Sequence, residues 1–311
     1  MAIVVSKAGM LTTVQDRGRW GYQSRGVPVA GPMDPVSHRL ANAIVGNPPD
    51  AALLEVTLLG PELAFDDEHA VAVAGAVFEF TIDGQPAAMN VRSVVPAGGR
   101  LRFGSRRRGA RAYLAIEGGI AVQPTLGSRA THVISAMGGF EGRPLRAGDR
   151  LPIGDRSQTR RARTAPAAPI VPLPQSSARL RVLPGPQQTL FAGDAIDVLQ
   201  SAPYVVAQNS DRMGFRLEGP RLTHAGSADI ISDATPLGVL QVPASGQPIL
   251  LMADRQTTGG YPKLATVITA DLAVAGQLAP GDAIAFEVCS ARDAMAALIA
   301  QEQALRRVEG W

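Results

Sequence analysis

Cysteine is nearly absent: Cys289 is the only one in 311 residues. An internal disulfide is therefore excluded, and without paired Cys/His spacing a structural zinc site has no ligand set. The four histidines, His38, His69, His132 and His224, are scattered with no metal-ligand interval, so no metal site is expected. Aromatics make up 5% of the chain, and no apolar run approaches the roughly 20 residues that a membrane-crossing helix needs. The N-terminus, MAIVVSKAGMLTTVQD, lacks a basic leader followed by an apolar segment. A cytoplasmic protein with no membrane partner is the expectation. Two familiar motifs are missing as well, the G-x-x-x-x-G-K-[ST] phosphate loop and the G-x-S-x-G nucleophile elbow. Net charge is only +3, and the arginine-rich runs at 106–111 and 156–163 are not interleaved with stacking aromatics, which argues against nucleic-acid binding.

Small apolar residues, glycine and proline are abundant instead, with 33 Gly and 24 Pro, a composition suited to many short strands joined by tight turns. Ile3 to Val5 and Leu11 to Val14 read as strands, and Ala52 to Ile153 is almost wholly strand and turn, with Asp83-Gly84 a strong hairpin signal. Between these lies a long loop, Asp16 to Asp34, with no period of 2 or 3.6. Asp34 before Pro35 is a helix start, and Gly46-Asn47 a left-handed stop. Residues 156–178 are rich in Arg, Pro and Ala without apolar periodicity and read as an exposed interdomain linker. The chain then divides as domain 1–155, linker 156–178 and domain 179–311. In the second domain a helix is expected from Phe191 to Gln200. Ser290 with Asp293 forms a capping box opening a C-terminal helix, which should dock on the body or on a partner.

Polar chemistry concentrates where strands end. Asp254 to Lys263, DRQTTGGYPK, lies between the apolar runs Pro248–Met252 and Leu264–Ile268. It offers carboxylate, amide and hydroxyl groups, together with two glycines that read as a hairpin turn and let a ligand approach the backbone. Lys263 enters an apolar strand, where desolvation suits it to hold an anion or to carry a lowered pKa. Asp16-Arg17 and Asp211-Arg212 are two further loop pairs, each near a glycine. The plain reading of both is a structural ion pair that holds its turn. On the first helix His38, Arg39 and Asn42 fall on the outer or site-facing side.

Several segments resemble the allophanate hydrolase subunit 2 family, also called the KipA or biotin-dependent carboxyltransferase family, whose members include one of the subunits of 5-oxoprolinase. They are VQDRGRWGYQSRGVPVAGPMD, NAIVGN, LLEVTLLGP, ARAYLAIEGGI, SDRMGFRLEGP and DRQTTGGYPKLATVITADL. The likeness runs through nearly the whole chain in one order. LGSRATH departs from it, since the family pattern implies a small hydroxyl residue where Arg129 or Ala130 stands. The resemblance implies a mainly β fold of two tandem cyclophilin-like β-barrel domains with a few short helices. It also implies a KipI (allophanate hydrolase subunit 1) type partner and, for 5-oxoprolinase, a LamB/YcsF-type subunit. The expected role is that of a subunit of a complex hydrolysing a small-molecule amide, 5-oxoproline first, with ATP used by the complex rather than bound here through a phosphate loop. Alternatives are an allophanate hydrolase or urea carboxylase type carboxyltransferase, in which biotin would be supplied from elsewhere, and a KipA-like regulator that antagonises a KipI-type kinase inhibitor. On this reading Lys263, Asp254, Arg212 and Asp16 are the candidate catalytic residues. Arg19, Asp34, Asn42, Thr257, Thr258, Gly259, Gly260 and Tyr261 are the candidate substrate-binding residues.

Overall fold

The structure is a computed structural model that describes residues 2–159 and 166–310. The chain divides into two compact units, one of Met1–Arg19, Ala30–Leu173 and Glu302–Trp311, the other of Trp20–Val29 and Pro174–Gln301. Each unit therefore takes in a short piece that a simple two-segment division would give to the other.

The first unit is built from β1 (Ala2–Lys7), β2 (Leu11–Gln15), β3 (Leu53–Thr57), β4 (Glu62–Phe65), β5 (His69–Ile82), β6 (Gln85–Ala87), β7 (Ser93–Val95), β8 (Arg100–Ile116) and β9 (Arg150–Pro152). They form one curled sheet in the order β2-β3-β8-β4-β1-β9, and β5 pairs with β8 and carries β6 and β7. Asp83 and Gly84 both take left-handed backbone angles, φ 48° and 79°, and Ile82 faces Gln85, so this is the two-residue hairpin that the Asp-Gly pair favours. Helix α1 (Pro35–Val45) starts where Asp34 accepts hydrogen bonds from the N–H groups of Val36 and Ser37, and it stops at left-handed Gly46. Its Leu40, Ala41, Ile44 and Val45 pack with Leu53, Ala72, Ala74, Tyr113 and Ala115. His38 and Asn42 do not face outward as expected; both are fully buried.

The second unit contains β10 (Ser177–Pro184), β11 (Tyr204–Val206), β12 (Gly214–Glu218), β13 (Asp233–Ala234), β14 (Val239–Gln241), β15 (Ile249–Leu251), β16 (Thr258–Gly259), β17 (Lys263–Val267) and β18 (Ala283–Val288). Seven of these close a barrel in the order β10-β17-β14-β15-β12-β11-β18, while β13 and β16 form a separate two-stranded ribbon. Burial alternates along β10 and β18, as the period of a strand with one face on a core requires. The expected helix from Phe191 is shorter: α2 spans Ala195–Ser201, and Phe191 is extended, bridging to His224 and stacking on its ring at 4.8 Å. After α3 (Thr269–Ala275), helix α4 (Ala291–Glu309) is opened by the Ser290–Asp293 capping box. The helix docks on the body: Leu305 is buried, and Arg39 of α1 binds Glu302 at 2.7 Å and Glu309 at 3.0 Å.

Of the linker segment, residues 160–165 lie outside the described residues. Residues 166–176 form neither helix nor strand, but Ala167 and Val171 are buried rather than exposed, and Ala167 donates its N–H to the carbonyl of Asn90 at 2.9 Å. An alanine and a valine in an otherwise polar run are enough to tie it down. Among the described residues no helix is long and apolar enough to cross a membrane.

Candidate functional site

The candidate residues fall into two clusters, one in each unit. In the first, Asp16 accepts hydrogen bonds from the N–H of Gly18 at 2.9 Å, from Ser128 Oγ at 2.6 Å, and from the N–H of Arg129. It is not paired with Arg17 in the way a turn-holding ion pair would require; it ties the Asp16 loop to residues 128–129. Arg19 has no exposed surface, and it donates to the carbonyls of Thr125 and Ala130, each at 2.9 Å. Gly138 lies so close that a Cβ there would stand 2.4 Å from Arg19 Nη2 and 2.2 Å from the Ala130 oxygen. Asp34 caps α1. Asn42 donates to the carbonyl of Ala51 at 2.9 Å and accepts from Asn47 at 3.0 Å. Asp34 and Asn42 are fully buried, so their placement as substrate-binding residues is corrected to a role in shaping the helix and its ends. Burial also lowers the pKa of His38 to about 4, outweighing the hydrogen bond it shares with the carbonyl of Gln15.

The second cluster is different in kind. Arg212 and Asp254 form a bidentate pair, Nε to Oδ2 at 3.0 Å and Nη2 to Oδ1 at 3.1 Å, with both side chains buried. Arg212 therefore partners a residue 42 positions away rather than Asp211, whose carboxylate accepts from the N–H groups of Met213 and Gly214. The pair clamps the loop before β12 to the loop after β15. This geometry corrects the expected catalytic roles of Arg212 and Asp254 to that of a brace. Gly259 and Gly260 are not a hairpin turn either. Neither is left-handed, and Gly259 belongs to β16, where it pairs with Asp233 of β13. Glycine is needed at 259 for closeness: a Cβ would lie 2.5 Å from Gln241 Nε2.

Lys263 is 2% exposed, and its Nζ binds Asp233 Oδ2 at 2.7 Å, while the Asp233 side chain is half exposed. Gln187 adds a contact to each partner, accepting from Lys263 N at 3.3 Å and donating to Asp233 at 3.4 Å. In the barrel register Lys263 faces Gln241, a buried side chain that accepts from Gln256 at 3.2 Å and donates to the carbonyl of Tyr261 at 3.4 Å. Gln241, Gln256 and Tyr261 also line a cleft of about 330 Å³, together with Asp211, Met213 and Arg216. Thr257 and Thr258 lie beside it: the Thr257 carbonyl accepts from Thr235 N at 3.1 Å, and Thr258 is exposed on β16. A buried ammonium, two side-chain amides and a tyrosine at one rim are groups that can hold and polarise a planar amide.

Sequence reasoning missed Asp233, Gln187 and Gln241. Gln241 carried a signal, a polar residue within the apolar run VLQVP. Asp233 carried none, because its pairing depends on the short β13–β16 ribbon.

The family described as "Carboxyltransferase domain, subdomain A and B" matches residues 25–288. The chain belongs to this family. Among its carboxyltransferase-domain relatives is a 5-oxoprolinase subunit of Escherichia coli, 39% identical over 293 residues, which cover 94% of this chain and 93% of that protein. Urea amidolyase of Saccharomyces cerevisiae is 34% identical over 99% of this chain but 18% of its own length. The crystal structure of the Kluyveromyces lactis urea carboxylase superposes with a TM-score of 0.92 at 34% identity, covering 99% of this chain and 29% of that one. The carboxyltransferase fold thus occurs both as a protein of this size and as a segment of much larger enzymes.

Proposed function

We propose that this chain is a subunit of an amide-hydrolysing complex of the 5-oxoprolinase type, opening the lactam of 5-oxoproline to glutamate with ATP consumed by the complex. The observation that carries the reading is end-to-end similarity to the E. coli 5-oxoprolinase subunit, a protein of matching length. A KipI-type protein and a LamB/YcsF-type subunit are the partners that the reading requires, in the cytoplasm. The cleft of the second unit is the working site. There Lys263, held by Asp233, supplies positive charge toward the oxygen that becomes negative when the amide is attacked. Gln241 and Gln256 orient the amide plane, Tyr261 forms the rim, and the Arg212–Asp254 brace fixes the loop that carries them. The test is reconstitution with the two partners and measurement of ATP-dependent glutamate release, with allophanate and urea as controls. Loss of turnover in Lys263→Met, with the complex still assembled, supports the reading; full turnover removes Lys263 from the chemistry.

The second reading, carboxyl transfer as in a urea carboxylase, is favoured by the superposition on the K. lactis enzyme over nearly the whole chain. It predicts instead that turnover appears only with urea and a separately supplied carboxybiotin carrier.

A further inference from the structure

We propose that Arg255 is the anchor of an anion-binding site in the second unit, and that the anion it takes is a carboxylate. Arg255 is 9% exposed. Its Nε donates to the carbonyl of Thr235 at 2.8 Å and its Nη1 to the carbonyl of Met252 at 3.5 Å, the second at the limit of a hydrogen bond. A guanidinium has five N–H donors. The others, one on Nη1 and both on Nη2, meet no acceptor among the described residues, and no carboxylate there pairs with this side chain.

The surroundings sharpen the imbalance. Three cations, Arg212, Arg255 and Lys263, are buried in this loop cluster. Two carboxylates answer them: Asp254 is spent on Arg212, and Asp233 on Lys263. One positive charge is left over, and it belongs to Arg255. A buried charge without a counter-ion is costly, and proteins keep one where a ligand supplies the opposite charge. A guanidinium with two free parallel N–H groups fits a carboxylate in bidentate fashion. The desolvation of Arg255 lowers its pKa, with no neighbouring carboxylate working against it. Its anchorage supports the same role. Thr235, which accepts from Arg255 Nε, follows Asp233 by two residues and also donates its hydroxyl to the carbonyl of Gln256. One short segment, 233–235, therefore holds the lysine, the arginine and the backbone of the cleft-lining glutamine.

Taking the carboxylate to be that of a cyclic amide acid rests on the 5-oxoprolinase reading; the anion site itself does not. The full chain, Arg255→Gln and Arg255→Lys are compared by calorimetric titration with 5-oxoproline, with 2-pyrrolidone, which is the same lactam without the carboxylate, and with formate. The wild type is expected to bind 5-oxoproline at least about tenfold tighter than 2-pyrrolidone, with formate competing. Arg255→Gln should erase that difference, and Arg255→Lys should keep part of it. Without ligand, Arg255→Gln should melt at or above the wild-type temperature, because it removes an uncompensated charge. Formate binding through Arg255 with no preference for 5-oxoproline keeps the anion site and discards the substrate. The site is overturned if neither acid binds the wild type, if Arg255→Gln keeps the difference, or if both variants melt well below the wild type, which would make Arg255 a structural residue.

Discussion

The loop at Asp16 and the loop at Asp254 look alike in sequence, each bringing acidic and basic residues and glycine to the end of a strand, yet they are put to opposite uses. Around Asp16 the charged groups are consumed by the backbone: Asp16 takes two N–H groups and a hydroxyl, and Arg19 takes two carbonyls. Such a knot fixes a loop of unusual length by satisfying groups that would otherwise be buried without partners. Around Asp254 side chains pair with side chains, Arg212 with Asp254 and Lys263 with Asp233, and one cation remains. A polar cluster that closes on itself holds structure. One that leaves charge over is built to meet something else.

The largest effect that would test this contrast is on stability. Arg212→Ala strands the buried Asp254 carboxylate and should cost about 3–5 kcal/mol, read as a lowered urea midpoint; Asp254→Asn in the same chain should recover part of it. An unchanged midpoint would mean that the pair braces nothing. The next concerns pH and only the first unit. His38 is held at about 4 when folded, against an ordinary value near 6.5, so between these values the unfolded chain binds more protons than the folded one. Its contribution is intact above pH 6.5 and is lost as the pH falls toward 4, by up to roughly 3 kcal/mol. His38→Gln should flatten the melting temperature across that window, and an unaltered pH profile would contradict the burial argument. A smaller loss is expected from Gly138→Ala. Its backbone is left-handed at φ 68°, which costs a side chain about 1–2 kcal/mol before the contact with the Ala130 oxygen is counted. This variant should destabilise the knot and leave ligand binding by the second unit intact.

The fold is legible where local chemistry decides. The Asp34-Pro35 start and Gly46 stop of α1, the Asp83-Gly84 hairpin and the Ser290–Asp293 cap each draw on groups within a few residues, and each stands where expected. Gly259-Gly260 misleads because the same dipeptide serves turns and close packing, and only Gln241, 18 positions earlier, distinguishes them. The desolvation of Lys263 is legible, since a lysine entering an apolar strand has little choice. Its partner is not, nor is that of Arg212: the neighbouring pairs Asp211-Arg212 and Asp16-Arg17 invite local pairings that long-range contacts replace. Arg255 escapes notice for the same reason. That it has no carboxylate partner becomes visible only when every nearby carboxylate has been assigned.

The central claim is that the chemistry belongs to the second cluster and the first is architectural. It is tested most directly by turnover of 5-oxoproline in the reconstituted complex, comparing Lys263→Met with Asp16→Asn at equal amounts of assembled protein. Lys263→Met should lose about 10²-fold or more, the scale expected when one donor to a developing oxyanion is removed, while Asp16→Asn should turn over at the wild-type rate per assembled complex. Full activity in Lys263→Met, or an equal loss in both, would contradict the assignment.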